Sequence, residues 1–295
     1  MAEQKTDSPQ TAIAWMVLAG LCFSTTGAFV KLAGEYHLIV WTVIFGRSTV
    51  IAIMTFIAAK FQEKTLSFEE PKWLLARCVT GLSAVACYFY TIPLIPLTTA
   101  VVLQWTSPLF VALFSGYLIK ERVSPFLFIC IGVAFLGTIL IISPSFEAIE
   151  INAIYALISG VFSALAYLSI RQLRSTATSE SVVFWFALFC MVFSFPFSIN
   201  EILILSMEEI QILLGVGITA GIGQIGMTKA YHAAKAAYIG AFSYSTVVVS
   251  WIYGLFIFDE ILSIWDMIGT LLIVVSGIVL ATTSPETKEI QNIKI

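Results

Sequence analysis

Ten stretches of roughly twenty apolar residues dominate this chain, at 11–33, 38–60, 73–92, 96–118, 124–142, 150–170, 181–200, 209–228, 236–258 and 263–283. A run of that length crosses a ~30 Å hydrocarbon layer as a helix. It is about twice the ~10-residue alternating strand of an outer-membrane barrel. In lipid the backbone must satisfy its own hydrogen bonds, which leaves the α-helix as the conformation for each run. Composition agrees: 11% of the 295 residues are charged, against roughly 25% in a soluble domain. So little polar surface cannot cover a water-facing globule, and the chain reads as an all-α membrane protein.

The distribution of charge then orients the spans. With the amino terminus in the cytoplasm, thirteen of the fifteen basic residues fall on that side: Lys5, Lys60, Lys64, Lys72, Arg77, Lys120, Arg122, Arg171, Arg174, Lys229, Lys235, Lys288 and Lys294. The opposite loops hold only Lys31, and Arg47 sits inside a span. The outer loops carry acid instead, at Glu35, Glu147, Glu150, Glu201, Glu208, Glu209, Asp259 and Glu260. A wrong span count would scramble every later loop, so the bias supports ten helices with both termini cytoplasmic. The first run exceeds a signal peptide's 7–15-residue core and more spans follow directly, so it reads as a span, not a leader. The five cysteines (Cys22, Cys78, Cys87, Cys130, Cys190) all lie in spans and read as small apolar residues.

The chain also repeats. "FSGYLIKERVSPF" (114–126) aligns without gaps on "YGLFIFDEILSIW" (253–265), placing Glu121 on Glu260 and Ser124 on Ser263. Upstream, "YTIPLIPLTTAVVLQWTSPLF" parallels "AYHAAKAAYIGAFSYSTVVVS". Five spans per unit is odd, so the second unit enters the membrane upside down. The flanks fit: "KER" around the shared Glu in one half becomes "DE" in the other. Residues 11–142 and 150–283 are thus two inverted five-helix repeats, between short tails at 1–10 and 284–295. Inverted repeats place a binding site near the midplane where the halves meet.

The segments "PLTTAVVLQWTSPLFVALFSGYLIKE" and "AAYIGAFSYSTVVVSWIYGLFIFDE" resemble the two EamA repeats of the drug/metabolite transporter superfamily, over about residues 11–283. The resemblance implies ten helices around a central cavity lined mainly by spans 1, 3, 4, 6, 8 and 9. Val247 stands in the second half where the first has Pro108, so a proline kink in span 4 need not have a twin.

Polar residues at membrane depth are the candidate site. Arg47 lies about nine residues into span 2, roughly 13 Å deep, and must face protein or water. Two roles are open to it: bracing the helices, or meeting a substrate carboxylate. At a similar level are Gln104 in span 4 and Ser24, Thr25 and Thr26 in span 1. In "QWTSP", Pro108 frees a backbone carbonyl, and Trp105 and Ser107 join Gln104 as cavity candidates. Span 6 carries a stripe of Tyr155, Ser159, Ser163 and Tyr167, one every four residues, which suits either a cavity wall or an interhelical seam. The second half adds Gln224 on span 8, and Ser243 and Tyr244 on span 9. Gly217 and Gly221 form a GxxxG pair, most simply a packing surface. Tyr88 and Tyr90, near the outer end of span 3, read as interfacial belt residues. His37 and His232 fall at helix ends, with no partner evident in the sequence.

No GxxxxGK[ST], HExxH or GxSxG occurs, and no Cys/His cluster with metal-ligand spacing, so ATP hydrolysis, metal and cofactor are not expected. No acid lies mid-span; Glu35, Glu180 and Asp266, near span ends, are the remaining candidates for ion coupling. The expected function is a secondary transporter of a small organic metabolite, an amino acid or a nucleoside-like or planar carboxylated solute, in the inner membrane. Its partners would be that solute and lipid, with no nucleic acid; coupling ion and monomer or dimer are left open. Export is the commoner assignment the resemblance implies, and uptake or exchange stands beside it. A passive channel and an intramembrane enzyme are the competing classes, the latter lacking a nucleophile and base at depth.

Overall fold

The computed structural model describes residues 9–63, 65–118, 126–142, 151–233, 239 and 241–283. The motif residues Glu121 and Ser124, the charged residues Lys64, Lys120, Arg122, Glu147, Glu150 and Lys235, and residues 1–8 and 284–295 of the tails lie outside them. The described residues contain no strand. Their helices are α1 (Pro9–Glu35), α2 (Val40–Phe61), α3 (Pro71–Thr91), α4 (Leu97–Gln104), α5 (Ser107–Leu118), α6 (Phe126–Ile142), α7 (Ile151–Leu173), α8 (Ser179–Ile202), α9 (Met207–Ala233), α10 (Ser245–Ile257) and α11 (Ile264–Thr283). A 3₁₀ turn, Ala241–Tyr244, leads into α10. Span 4 is therefore broken into α4 and α5, and the described part of span 9 is the turn continued by α10.

Local chemistry sets several helix starts. Pro71 opens α3, where its missing N–H costs nothing. Reciprocal capping boxes open α9 and α11. Ser206 N–H donates to Glu209 at 2.6 Å and Glu209 N–H to Ser206 Oγ at 3.3 Å. Ser263 and Asp266 do the same at 3.0 and 3.1 Å. Asp266 is thus spent on capping.

The helix pairings repeat under a shift of five spans. α1 packs on α9 as α7 packs on α3. α2 lies on α9 as α8 lies on α3, and α10 on α1 as α4 and α5 on α7. The pairs α2·α8, α4·α10 and α6·α11 map onto themselves. Two five-span units related by a two-fold axis would pack in this way, and the axis runs through those three pairs. Span 4 is the innermost: its stretch Leu97–Ser115 is 82% buried, against 61% or less for the other long apolar helices. Large apolar side chains such as Ile53, Phe56, Val192, Phe197 and Leu271 cover the outside, where lipid rather than water meets them.

The break in span 4 follows from Pro108, which cannot donate to the Gln104 carbonyl. Gly160 of α7 packs into the break: a Cβ there would lie 3.0 and 3.1 Å from the Gln104 and Leu103 oxygens. Span 9 passes from 3₁₀ to α at the equivalent place, Tyr244–Ser245, without any proline and without an interruption between the two. The glycine pair Gly137 and Gly269 brings α6 and α11 into backbone contact, a Cβ on either meeting the other's carbonyl at 2.6 and 2.5 Å. Gly221, one half of the GxxxG pair, sits against Met54 of α2 at 3.1 Å.

Candidate functional site

A cavity lies between the two repeats, offering about 60 Å³ to the centre of a water molecule, room for a few waters. α1 lines it with Phe23 and Thr26, α2 with Arg47, and α3 with Arg77, Gly81, Ala84, Val85, Tyr88 and Phe89. Span 4 adds Gln104 and Trp105; α7 adds Ser163, Ala166 and Tyr167; α8 adds Phe186; α9 adds Ala220 and Gln224. Spans 2 and 7 thus contribute where the family resemblance did not place them. No described residue of span 9 lines the cavity.

Two guanidiniums define its electrostatics. Arg47 and Arg77 are each 2% exposed, and no lining residue is Asp or Glu. An arginine keeps its charge in a protein, so neither cation can neutralise itself. Arg77 Nη2 donates to Gln224 Oε1 at 3.1 Å, while its Nε, like Arg47 Nη1, is buried without a partner. Both cations sit at the ring of Phe186, with Cζ 3.8 Å from the centroid for Arg77 and 5.7 Å for Arg47; Arg47 is also 6.0 Å from Phe89. Cation–π attraction is of order 1–2 kcal/mol, a modest return for a buried charge. Gly81, one turn beyond Arg77, makes the room: a Cβ there would stand 2.7 Å from the Phe186 ring and in the place of the guanidinium.

The remaining wall is neutral and polar or aromatic. Gln104 Nε2 donates to Ser163 Oγ at 3.0 Å. Thr26 and Thr219 share a hydrogen bond of 2.9 Å across α1 and α9. Tyr167 stacks on Tyr231 at 5.0 Å, and Trp105 leans on Phe23 at 6.3 Å.

Of the sequence candidates, Arg47, Gln104, Trp105, Ser163, Tyr167 and Gln224 meet at this cavity. Others lie elsewhere. Ser24 donates to the Thr246 carbonyl at 2.8 Å and accepts from Ser250 at 3.2 Å, so it belongs to the α1–α10 seam. Thr25 bonds Tyr253 at 3.1 Å in the same seam; their neighbour Thr26 is the one that faces the cavity. Tyr155 is 41% exposed with its ring against Tyr90, and Ser159 donates back to the Ala156 carbonyl at 2.6 Å. The stripe fails halfway because four residues turn a helix about 400°, so each step drifts by about 40°. Ser107, at the start of α5, is buried outside the lining; Pro108 acts through the break. Ser243 is buried in the 3₁₀ turn away from the cavity, and the Tyr244 side chain lies outside the described residues.

Two residues were read differently from sequence. Arg77, counted with the cytoplasmic loops, is seven residues into α3 on its buried face with Leu74, Cys78 and Gly81. The i, i+3, i+4, i+7 spacing of that face was the available signal. Tyr88, taken for a belt residue, is on the cavity wall. His232 does have a neighbour, Ser179 Oγ at 3.3 Å from Nδ1.

The register that puts Glu121 on Glu260 puts Arg47 on Phe186, Gly81 on Ala220 and Val85 on Gln224, each 139 positions apart. All six line the cavity. The two-fold axis therefore passes through it.

Two inverted five-span units closing on a polar hollow define the architecture of a membrane transporter. The profile of the EamA-like transporter family matches residues 10–143 and again 151–283. The chain belongs to that family, within the drug/metabolite transporter superfamily, and is a multi-pass membrane transporter rather than an enzyme. It is 30% identical to the pseudopaline exporter CntI of Pseudomonas aeruginosa, over 94% of this chain and 98% of the relative. It is 21% identical to the riboflavin transporter of Vibrio cholerae, over 95% of each chain. The S-adenosylmethionine uptake transporter of Rickettsia bellii is 22% identical, over 84% of this chain and 85% of that one. A solved crystal structure superposes with a TM-score of 0.68 at 20% identity, covering 93% of this chain and 98% of the other, and shows the fold alone.

Proposed function

We propose that this protein is a secondary transporter working by alternating access, moving a small organic metabolite with a carboxylate across the cytoplasmic membrane. An amino acid or a nucleoside-like, planar carboxylated solute fits the lining. The observation that carries the reading is the buried, uncompensated Arg47 in a hollow crossed by the two-fold axis. A binding site on such an axis can be opened to either side by rocking one repeat, 11–142, against the other, 150–283. Both termini are placed in the cytoplasm by the charge bias, which survives with Arg77 removed from the loop count. The name of the Pseudomonas relative supports export; that of the Rickettsia relative keeps uptake as the alternative.

In this orientation the outer end is shut. Lys31 of α1 pairs with Glu260 Oε1 beyond α10, and the same oxygen accepts the Leu97 N–H at the start of α4 at 2.7 Å. The test is counterflow in proteoliposomes over amino acids, nucleosides and related carboxylates. A carrier gives saturable flux stimulated by solute on the far side, and a passive channel gives neither. Arg47→Ala should abolish transport while folded protein is still recovered. Unchanged saturation kinetics in that variant would remove Arg47 from the site.

A further inference from the structure

We infer that the central site selects solutes with two negative charges, because Arg77 and Arg47 form a paired anion receptor; this rests on reading the cavity as the substrate site. Each guanidinium has five N–H bonds. Among the described residues, one of those on Arg77 has an acceptor, Gln224, and Arg47 lies near the rings of Phe89 and Phe186 with its Nη1 buried and unpartnered. A buried charge without a hydrogen-bonded partner is strongly unfavourable. Two of them, meeting at one phenylalanine ring, repel each other as well. The site therefore holds an excess of two positive charges and most of two donor forks.

A monoanion answers half of this. It occupies one fork and leaves the second cation buried and unpaired. A solute bearing two carboxylates matches both charges and can meet each planar fork with two parallel hydrogen bonds. A phosphate dianion carries the same charge, but the rings of Tyr88, Phe89, Trp105, Tyr167 and Phe186 offer apolar and stacking surface that only an organic scaffold would use. Gln224 holds Arg77 from the second repeat while both cations belong to the first. The receptor is therefore assembled only when the halves are together.

The test uses the full chain, purified and reconstituted in nanodiscs. Binding is measured by titration calorimetry for succinate, glutarate, adipate and isophthalate, each beside its monomethyl ester, and for inorganic phosphate and sulfate, all at one ionic strength. At least one dicarboxylate should bind ten-fold or more tightly than its half-ester. Arg77→Gln should reduce that preference to less than two-fold. Arg77→Lys, which keeps the charge but not the fork, should retain part of it and serves if the glutamine variant fails to fold. Equal binding of every dicarboxylate and its half-ester, or an undiminished preference in Arg77→Gln, overturns the inference. So does phosphate or sulfate binding as tightly as the best dicarboxylate, which would make the receptor one for inorganic oxyanions. Counterflow separates the two readings. A preference for dianions without saturable flux of the best-bound one refutes transport and leaves the receptor standing. Saturable flux of neutral or singly charged solutes, with no dianion preference, refutes the receptor and leaves the transporter.

Discussion

Replacing Glu260 by Gln should open the end of the bundle that Lys31 and Glu260 now close. Lys31 is five residues beyond Thr26 of the cavity wall, about 7.5 Å along α1, so the pair lies nearer that end of the bundle than the hollow does. Its side chains are 16% and 8% exposed. Lys31 Nζ also reaches the Ile95 carbonyl at 3.3 Å and lies 5.3 Å from the Phe258 ring. Glu260 is brought back over α10 by its own N–H, bonded to the Gly254 carbonyl at 2.9 Å, after Asp259 turns the chain at φ 48°. One carboxylate oxygen thus ties α1 and α4 of the first repeat to α10 of the second. Gln keeps an acceptor and loses the charge, so the loss is that of one charge-assisted hydrogen bond, about 2 kcal/mol. The contact joins the repeats only while this end is shut, so nearly all of that loss falls on the closed state. At 1.36 kcal/mol per factor of ten, the open population should rise about 30-fold. The reporter is Thr26→Cys, labelled by a membrane-impermeant maleimide after the half-buried Cys22 and Cys87 are changed to alanine. Labelling from the Lys31 side should accelerate by ten-fold or more. Lys31→Met should do the same, and the double variant no more than either, since one interaction is removed once. Labelling rates within two-fold of the parent would refute the latch.

Arg77→Met should raise the melting temperature of the ligand-free protein by at least about 2 °C, because an unpaired buried cation is replaced by an apolar chain; calorimetric melting with and without a bound dicarboxylate reads both sides of that exchange. Ser24→Ala should lower stability by about 1–2 kcal/mol through the broken α1–α10 seam and leave solute affinity alone, whereas Thr26→Val, which removes the bond to Thr219 and a hydroxyl of the cavity wall, should lower both. Gly160→Val should cost about 3 kcal/mol, since its branches would collide with the Leu103 and Gln104 carbonyls of span 4; thermal unfolding checks it, with Gly160→Ala milder.

Much of this architecture was legible because lipid imposes long apolar runs, and because loop charges differ between the two faces of a membrane. Those signals fixed ten spans and their inversion without reference to any contact. They do not report which way a residue points around its helix. Ser24, Thr25 and Thr26 are at one depth, but 100° per residue separates the seam from the cavity, and only Thr26 lands on the hollow. Arg77 shows the converse. Its depth near a span end let it pass for a loop cation, while its helical spacing from Leu74, Cys78 and Gly81 assigned it to the buried face. The 3₁₀ turn that begins the described part of span 9 had no marker in the sequence, whereas Pro108 announced the break in span 4.

The two-fold relation of the repeats also explains how a symmetric frame holds an asymmetric site. Arg47 and Phe186 are equivalent positions on α2 and α8, the pair of helices that the axis maps onto each other, and their side chains meet at 5.7 Å. Two arginines at these positions would face each other across the axis as like charges; two phenylalanines would leave it apolar. One of each gives a cation lying against an aromatic face, which a two-fold site can bury with a partial return. Val85 and Gln224 divide the next equivalent pair in the same way, the apolar member on the cationic repeat and the amide opposite, where it reaches Arg77. Charge is thus gathered on the first repeat and its neutral partners on the second. A solute that bridges them gains most when the halves close, and closure on an empty site leaves the cations unanswered. On the proposed reading, the cost of crossing empty is carried by the same two arginines that would select the solute.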